Sequence, residues 1–170
     1  MMNKILFFDF DYTLFDTSAS KQYGKDYKEV QKHISEFVLY EGIGNVLQVL
    51  SEHYILYVVS GNVGSTIKKA IQHFALNISL ENVIGYRQGY PMENTARKRK
   101  VLQVAVEQVL DTYHISKNDI TYIGDEIADL NVCRELEIEF IGCLWGNTEL
   151  KKAADVCLIN NPTDLLGKLN

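Results

Sequence analysis

Proline is scarce in this 170-residue chain: Pro91 and Pro162 are the only two. They leave no proline-rich linker, and no stretch rich in glycine or serine takes its place. Internal repeats and low-complexity tracts are also missing, so residues 1–170 read as one domain with a sizeable core. Cysteine is sparse and odd in number. Cys133, Cys143 and Cys157 lack any metal-ligand spacing and read as small buried hydrophobes of a reduced, cytoplasmic protein. No apolar run approaches the roughly 20 residues that span a bilayer. The opening MMNKILFFDFD has one lysine and an apolar run broken by acids, which is not the pattern of a signal peptide. Basic residues are outnumbered, 17 against 22 acids, and the net charge of -5 argues against nucleic acid or an anionic membrane as partner.

Apolar residues, by contrast, make up 46% of the chain, and they fall in short runs. Strands are expected at 4–10, 54–60, 81–86, 119–125, 139–145 and 155–159. Helical patterns lie between and after them, near 43–52, 64–75, 96–113, 127–136, 148–153 and 163–169, the last with Asn161 as N-cap and Pro162 at the first helical position. Such alternation implies a Rossmann-like, doubly wound α/β fold, a parallel sheet with helices on both faces. One segment departs from it. Between Phe15 and Tyr40 there is room for a helix but no strand. In DYKEVQKHISEFV, the residues Tyr27, Val30, Ile34, Phe37 and Val38 share one helical face, expected to pack on the core. Residues 15–40 thus form a small helical insert after the first strand.

The first strand ends in an oddity. In KILFFDFDYTLFDT, four apolar residues run straight into Asp9, and Asp11 follows two positions later. Two carboxylates beside a buried strand repel each other and lose solvation unless something positive sits between them. Other strand ends deliver similar groups. The second major strand delivers Ser60, Gly61 and Asn62, and the fourth delivers Asp125, Glu126 and Asp129. Any one of these suits a turn or a cap. Together they crowd the edge where open parallel sheets bind ligands. Acids gathered in one crevice suit a hard cation with oxygen ligands, and Mg²⁺ is the usual partner where phosphate also binds. The chemistry that fits is two-step phosphoryl transfer through a carboxylate, which needs a nucleophile and an acid–base.

These residues resemble the motifs of the haloacid dehalogenase-like hydrolases. Asp9-Phe10-Asp11-Tyr12-Thr13 is similar to the opening DxDxT of that family, Ser60 to its second motif, and Gly124-Asp125-Glu126-Ile127-Ala128-Asp129 to its GDxxxD. YEGIGNVLQVL and CRELEIEFIGCLWGN resemble segments of phosphoglycolate phosphatase-like members with a reduced cap. The resemblance implies that Asp9 is the nucleophile and Asp11 the general acid and base. It implies that Asp9, the backbone carbonyl of Asp11 and Asp125 hold Mg²⁺, with Asp129 supporting the metal and Thr13 fixing the motif loop. Ser60 would bind the phosphoryl oxygens, with the Gly61 or Asn62 amide. The family also places a cation, usually lysine, at the phosphate. ARKRKVLQV offers Arg97, Lys98, Arg99 and Lys100, most of them a solvated helix start. Lys98 shares the inward face of Val101 and Leu102 and is preferred to Lys100.

The expected activity is Mg²⁺-dependent hydrolysis of a phosphate monoester; the alternative is a metal-dependent phosphoacceptor or regulatory binding module with little turnover. Asp11 disfavours a dehalogenase, and the short insert leaves little room for the cap of a sugar phosphomutase. An open crevice would admit a phosphorylated macromolecule or lipid headgroup. Alternatively, a second subunit of a homo-oligomer covers it and a phosphorylated small molecule is turned over.

Overall fold

Ile5–Phe8 form β1, and all four residues are buried. Their side chains point alternately to opposite faces of the sheet, as a strand requires. Leu6 and Phe8 join one apolar cluster, Ile5 and Phe7 the other. A strand apolar on both faces must be covered on both faces, which is the condition for a doubly wound sheet.

The computed structural model describes residues 4–169. Six parallel strands form the sheet: β1, β4 (Ile55–Val63), β5 (Val83–Tyr86), β6 (Ile120–Gly124), β7 (Glu139–Cys143) and β8 (Cys157–Ile159). Their order is β5-β4-β1-β6-β7-β8, so β1 is central and the chain changes direction across the sheet between β4 and β6. Helices α2 (Ile43–Ser51), α3 (Gly64–His73) and α6 (Asp164–Lys168) contribute buried residues to the cluster on one face. Helices α4 (Asn94–Tyr113) and α5 (Ile127–Leu136) contribute to the other. On α4 the buried residues Val101, Leu102, Ala105, Val106 and Val109 follow the helical repeat. The register sets Phe8 beside Val58 on β4 and Ile123 on β6. Asp9 past β1 and Asp125 past β6 leave the sheet, and Ser60 lies within β4, which runs on to Val63 rather than ending at residue 60; all three lie within two residues of one level, at a reversal of strand order where such sheets bind ligands.

The insert departs from expectation. It contains two strands, β2 (Phe15–Asp16) and β3 (Val38–Leu39), paired antiparallel, which clamp its ends together. Its helix, α1 (Tyr27–Lys32), is only six residues long, and a 3₁₀ turn follows at Ile34–Glu36. The single apolar face is consequently broken. Ile34 and Phe37 are buried, but Tyr27 and Val38 are 45% and 61% exposed. Asp26 caps α1, accepting from the amides of Lys28 and Glu29 at 3.0 and 3.2 Å.

Three smaller expectations also give way. Residues 149–152 form a 3₁₀ turn rather than an α-helix. Helix α6 starts at Asp164, not at Pro162. The Asp164 carboxylate accepts from the Asn160 and Asn161 amides at 3.1 and 2.9 Å, so it binds the entering backbone and Asn161 does not cap. Cys157 is half-buried, whereas Cys133 and Cys143 are buried. No helix of the described residues is long and apolar enough to cross a membrane.

Candidate active site

Asp9 is the first residue past β1. Its amide donates to the Ile123 carbonyl at 2.9 Å, and its carboxylate accepts from the Phe10 amide at 2.7 Å. Tyr12 then turns the chain in the left-handed region, at φ 58°. The turn closes when the Tyr12 amide donates to the Phe15 carbonyl at 2.7 Å. The loop after β7 braces this turn from outside. Trp145 Nε1 donates to the Thr13 carbonyl at 3.0 Å, and a Cβ on Gly146 would collide with the Tyr12 carbonyl oxygen. Only glycine permits so close an approach of two backbones.

Asp9, Asp125 and Asp129 are all buried, and each presents an oxygen within 4.8 Å of the others. Burial first, then the charges of Asp9 and Asp129, push the Asp125 carboxyl up to about 8. Burial and the Asp9 charge hold Asp129 at about 7. Lys98 answers part of this negative charge. Its Nζ lies 2.7 Å from Asp129, 3.1 Å from Glu126 and 3.3 Å from Asp9, with the side chain 11% exposed. Burial works against the ammonium, but Asp9, Asp129 and Glu126 together overcome it and hold Lys98 well above the usual lysine range. Lys100 on the same helix is exposed and makes no ion pair among the described residues. One cation does not neutralise this group. Asp129 Oδ2 is buried without a hydrogen-bond partner, and Thr13 reaches Asp125 only at 3.4 Å. An orphaned buried oxygen among three carboxylates is the donor chemistry of a hard divalent cation, so the residues fit Mg²⁺.

Asp11 stands apart from this group. Thr17 Oγ1 donates to it at 2.6 Å, and Asn62 Nδ2 spans both its oxygens at 3.1 and 3.2 Å. Burial and the nearby Asp9 charge raise the Asp11 carboxyl against these hydrogen bonds. A carboxyl held high near a reacting centre suits proton transfer. Ser60 is buried, and its Oγ accepts from the Asn62 amide at 3.3 Å. Asp9, Asp11, Ser60, Gly61, Asn62 and Lys98 all line one crevice of about 560 Å³. Tyr27 and Val30 of α1 also line it, so that helix faces the crevice as well as the core.

A model of the haloacid dehalogenase-like hydrolase family matches residues 18–143. The chain belongs to that family. The matched span begins after Thr13, so the opening acids are placed at the site by the fold rather than by the match. No curated protein matches the chain. Among solved structures, a Clostridium difficile protein provisionally assigned as a phosphatase superposes with a TM-score of 0.77 at 18% identity over 100% of both chains. A predicted phosphatase from Clostridium acetobutylicum gives 0.72 at 19% identity over 99% of both. A predicted phosphoglycolate phosphatase from Haemophilus somnus gives 0.70 at 14% identity, over 100% of this chain and 99% of that one. At these identities the likeness is one of fold.

Some residues at the site carried no sequence signal. Thr17 touches the motif loop from the insert, and Trp145 and Gly146 touch it from the loop after β7, at the same edge of the sheet. Tyr122 donates to the Val59 carbonyl at 3.0 Å and packs its hydroxyl beside Asp129. Glu126 was legible only as the neighbour of Asp125.

Proposed function

We propose that this hydrolase is a Mg²⁺-dependent phosphatase that cleaves a phosphate monoester through an aspartyl-phosphate on Asp9. The observation that carries the reading is the Asp9 carboxylate, fixed at the β1 end against Lys98 and two buried acids, and open to the crevice. In the first step an Asp9 oxygen forms a bond to phosphorus as the ester P–O bond breaks. Asp11 gives its proton to the leaving alcohol. In the second step Asp11 takes a proton from water, which attacks phosphorus and frees Asp9 and inorganic phosphate. Lys98 and the Ser60 hydroxyl hold the phosphoryl oxygens, with the Gly61 and Asn62 amides beside them. Mg²⁺, when held by Asp9, Asp125 and the Asp11 carbonyl, neutralises the phosphate charge that would otherwise repel the nucleophile. Asp129 orients Lys98 and the metal side of the site, and Thr13 steadies the loop.

Residues 15–40 serve as a partial lid rather than a second domain, since Tyr27 and Val30 border the crevice. A crevice of about 560 Å³ matches a small phosphorylated metabolite better than a macromolecule. Hydrolysis of p-nitrophenyl phosphate with Mg²⁺ tests the reading. Asp9→Asn replaces the nucleophile by an amide and should lower the rate more than about a hundredfold with the melting temperature retained. Full activity in that variant, or in excess chelator, overturns the mechanism, whereas a wild type without turnover leaves the phosphoacceptor module as the better account.

A further inference from the structure

The crevice of about 560 Å³ is far larger than a phosphoryl group fills, and its lining is of two kinds. Asp9, Asp11 and Lys98 supply the charged part. The apolar part comes from separate elements: Tyr27 and Val30 from α1, Val63 from the end of β4, Tyr86 from the end of β5, and Met92 from the connection to α4. Single exposed apolar side chains are ordinary on a protein surface, but a cluster of them marks a binding site. Among the described residues four large apolar side chains are exposed: Tyr27, Val38, Val49 and Met92. Two of the four, Tyr27 and the 62% exposed Met92, border this one crevice.

These side chains are held in place without being covered. Helix α1 is tied to α3, because Gln31 Nε2 donates to Ser65 Oγ and Thr66 Oγ1 at 2.8 and 3.2 Å, and Val30 packs on the core. Tyr86 leaves a strand that runs hard against α3: a Cβ on Gly85 would lie 2.6 Å from the Gly64 nitrogen. The Arg97 guanidinium lies over the Tyr86 ring at 5.9 Å, the Tyr90 ring meets it edge-on at 6.2 Å, and its hydroxyl donates to the Met92 sulfur at 3.4 Å. Aromatic side chains fixed beforehand lose little freedom when a ligand arrives. Tyrosine rings and a thioether also favour an aromatic partner over an aliphatic one, through edge, face and sulfur contacts beyond simple burial. We propose that Tyr27, Tyr86 and Met92 are the specificity-determining residues of this crevice, seating an aromatic ring carried by the alcohol part of the phosphate ester. This rests on the phosphatase reading for the position of the phosphate, and deepens it by naming what the leaving alcohol carries.

The test compares matched pairs on the full chain with Mg²⁺. 2-Phenylethyl phosphate is set against ethyl phosphate, and adenosine 5′-monophosphate against ribose 5-phosphate. The wild type should favour the member with the ring by roughly tenfold to a hundredfold in kcat/KM, mostly in KM, the size expected of burying one aromatic ring between others. Tyr27→Ala and Met92→Ala should each shrink that ratio, and together they should bring it below about threefold. Tyr27→Phe keeps the ring and should restore the ratio, which guards against a folding defect. The pair with the larger ratio tells a nucleobase from a plain aryl ring. Calorimetric binding of 3-phenylpropylphosphonate and propylphosphonate reads the same seat without turnover. Three results overturn the proposal: no ring preference in the wild type, an equal loss on both members in Tyr27→Ala, or an equal preference for 2-cyclohexylethyl phosphate. If ethyl phosphate is still hydrolysed in those cases, the phosphatase reading stands without the ring seat. Preferential binding of 3-phenylpropylphosphonate that is lost in Tyr27→Ala, with no ester hydrolysed, would instead sink the phosphatase reading and support the ring seat.

Discussion

Removing the Lys98 ammonium withdraws the single positive charge from a buried cluster of acids. Its Nζ contacts Asp129, Glu126 and Asp9 at 2.7, 3.1 and 3.3 Å. At an effective dielectric of about 20, each such contact represents about 5 kcal/mol of gross attraction. Burying the ammonium returns most of that sum, and breaking a buried pair typically costs about 3–5 kcal/mol net. The acids themselves reduce the cost at low pH. Asp125 and Asp129 are pushed up to about 8 and about 7 from 3.8. A carboxyl raised in this way stabilises the folded chain fully below its unfolded value and loses that contribution as pH rises through the folded one. At pH 6 both are largely neutral and loss of Lys98 is better tolerated; Lys98 lowers both carboxyls, so without it they charge less readily as pH rises and its loss costs more at pH 8.5. In chelator, Lys98→Ala should therefore lose about 3 kcal/mol at pH 8.5 and clearly less at pH 6, read from urea unfolding. Phosphatase activity should fall about a hundredfold, the usual worth of a positioned charge in a transition state. Lys100→Ala, on the exposed side of the same turn, should stay within about 0.5 kcal/mol and twofold in rate. A larger loss in Lys100→Ala, or a destabilisation of Lys98→Ala independent of pH, would refute this account.

Protons and Mg²⁺ compete for the same acids, so the metal-free chain should lose stability between about pH 4 and 8 and Mg²⁺ should restore more at pH 8 than at pH 6, as thermal melts would show. Equal Mg²⁺ stabilisation at both would separate the metal from Asp125. Gly146→Ala sets a methyl against the Tyr12 carbonyl and should cost about 2 kcal/mol together with most of the activity, since the loop carrying Asp11 must shift; wild-type behaviour in urea and in the ester assay would show the loop to be free to move.

Much of the architecture was legible because β1 and its neighbours are short apolar runs between helical repeats, and such runs can be satisfied only by a sheet covered on both faces. The acids after those runs were legible for the same reason. The end of an apolar run and the direction of its strand are local properties, so Asp9, Ser60 and Asp125 could be assigned to one edge, although β4 runs past Ser60 to Val63. Lys98 could be preferred to Lys100 because helical facing is also local. Where the insert was concerned, local periodicity misled. Its apolar stripe continues past Lys32, but the helix ends there because Ile34 and Phe37 bury against the sheet while β2 and β3 pull the ends together. Contacts between residues distant in the chain left no mark in the sequence. Thr17 on Asp11, Trp145 on Thr13, Gly146 against Tyr12 and the unmatched Arg97 over Tyr86 depend on how loops from separate strands meet. The sequence by itself determined the sheet, its chemical edge and the inward-facing lysine, because each follows from side-chain direction along one element. Only the tertiary structure decided which acids Lys98 pairs with and which distant loops brace the motif turn, because such pairing is a property of distances that no single element sets.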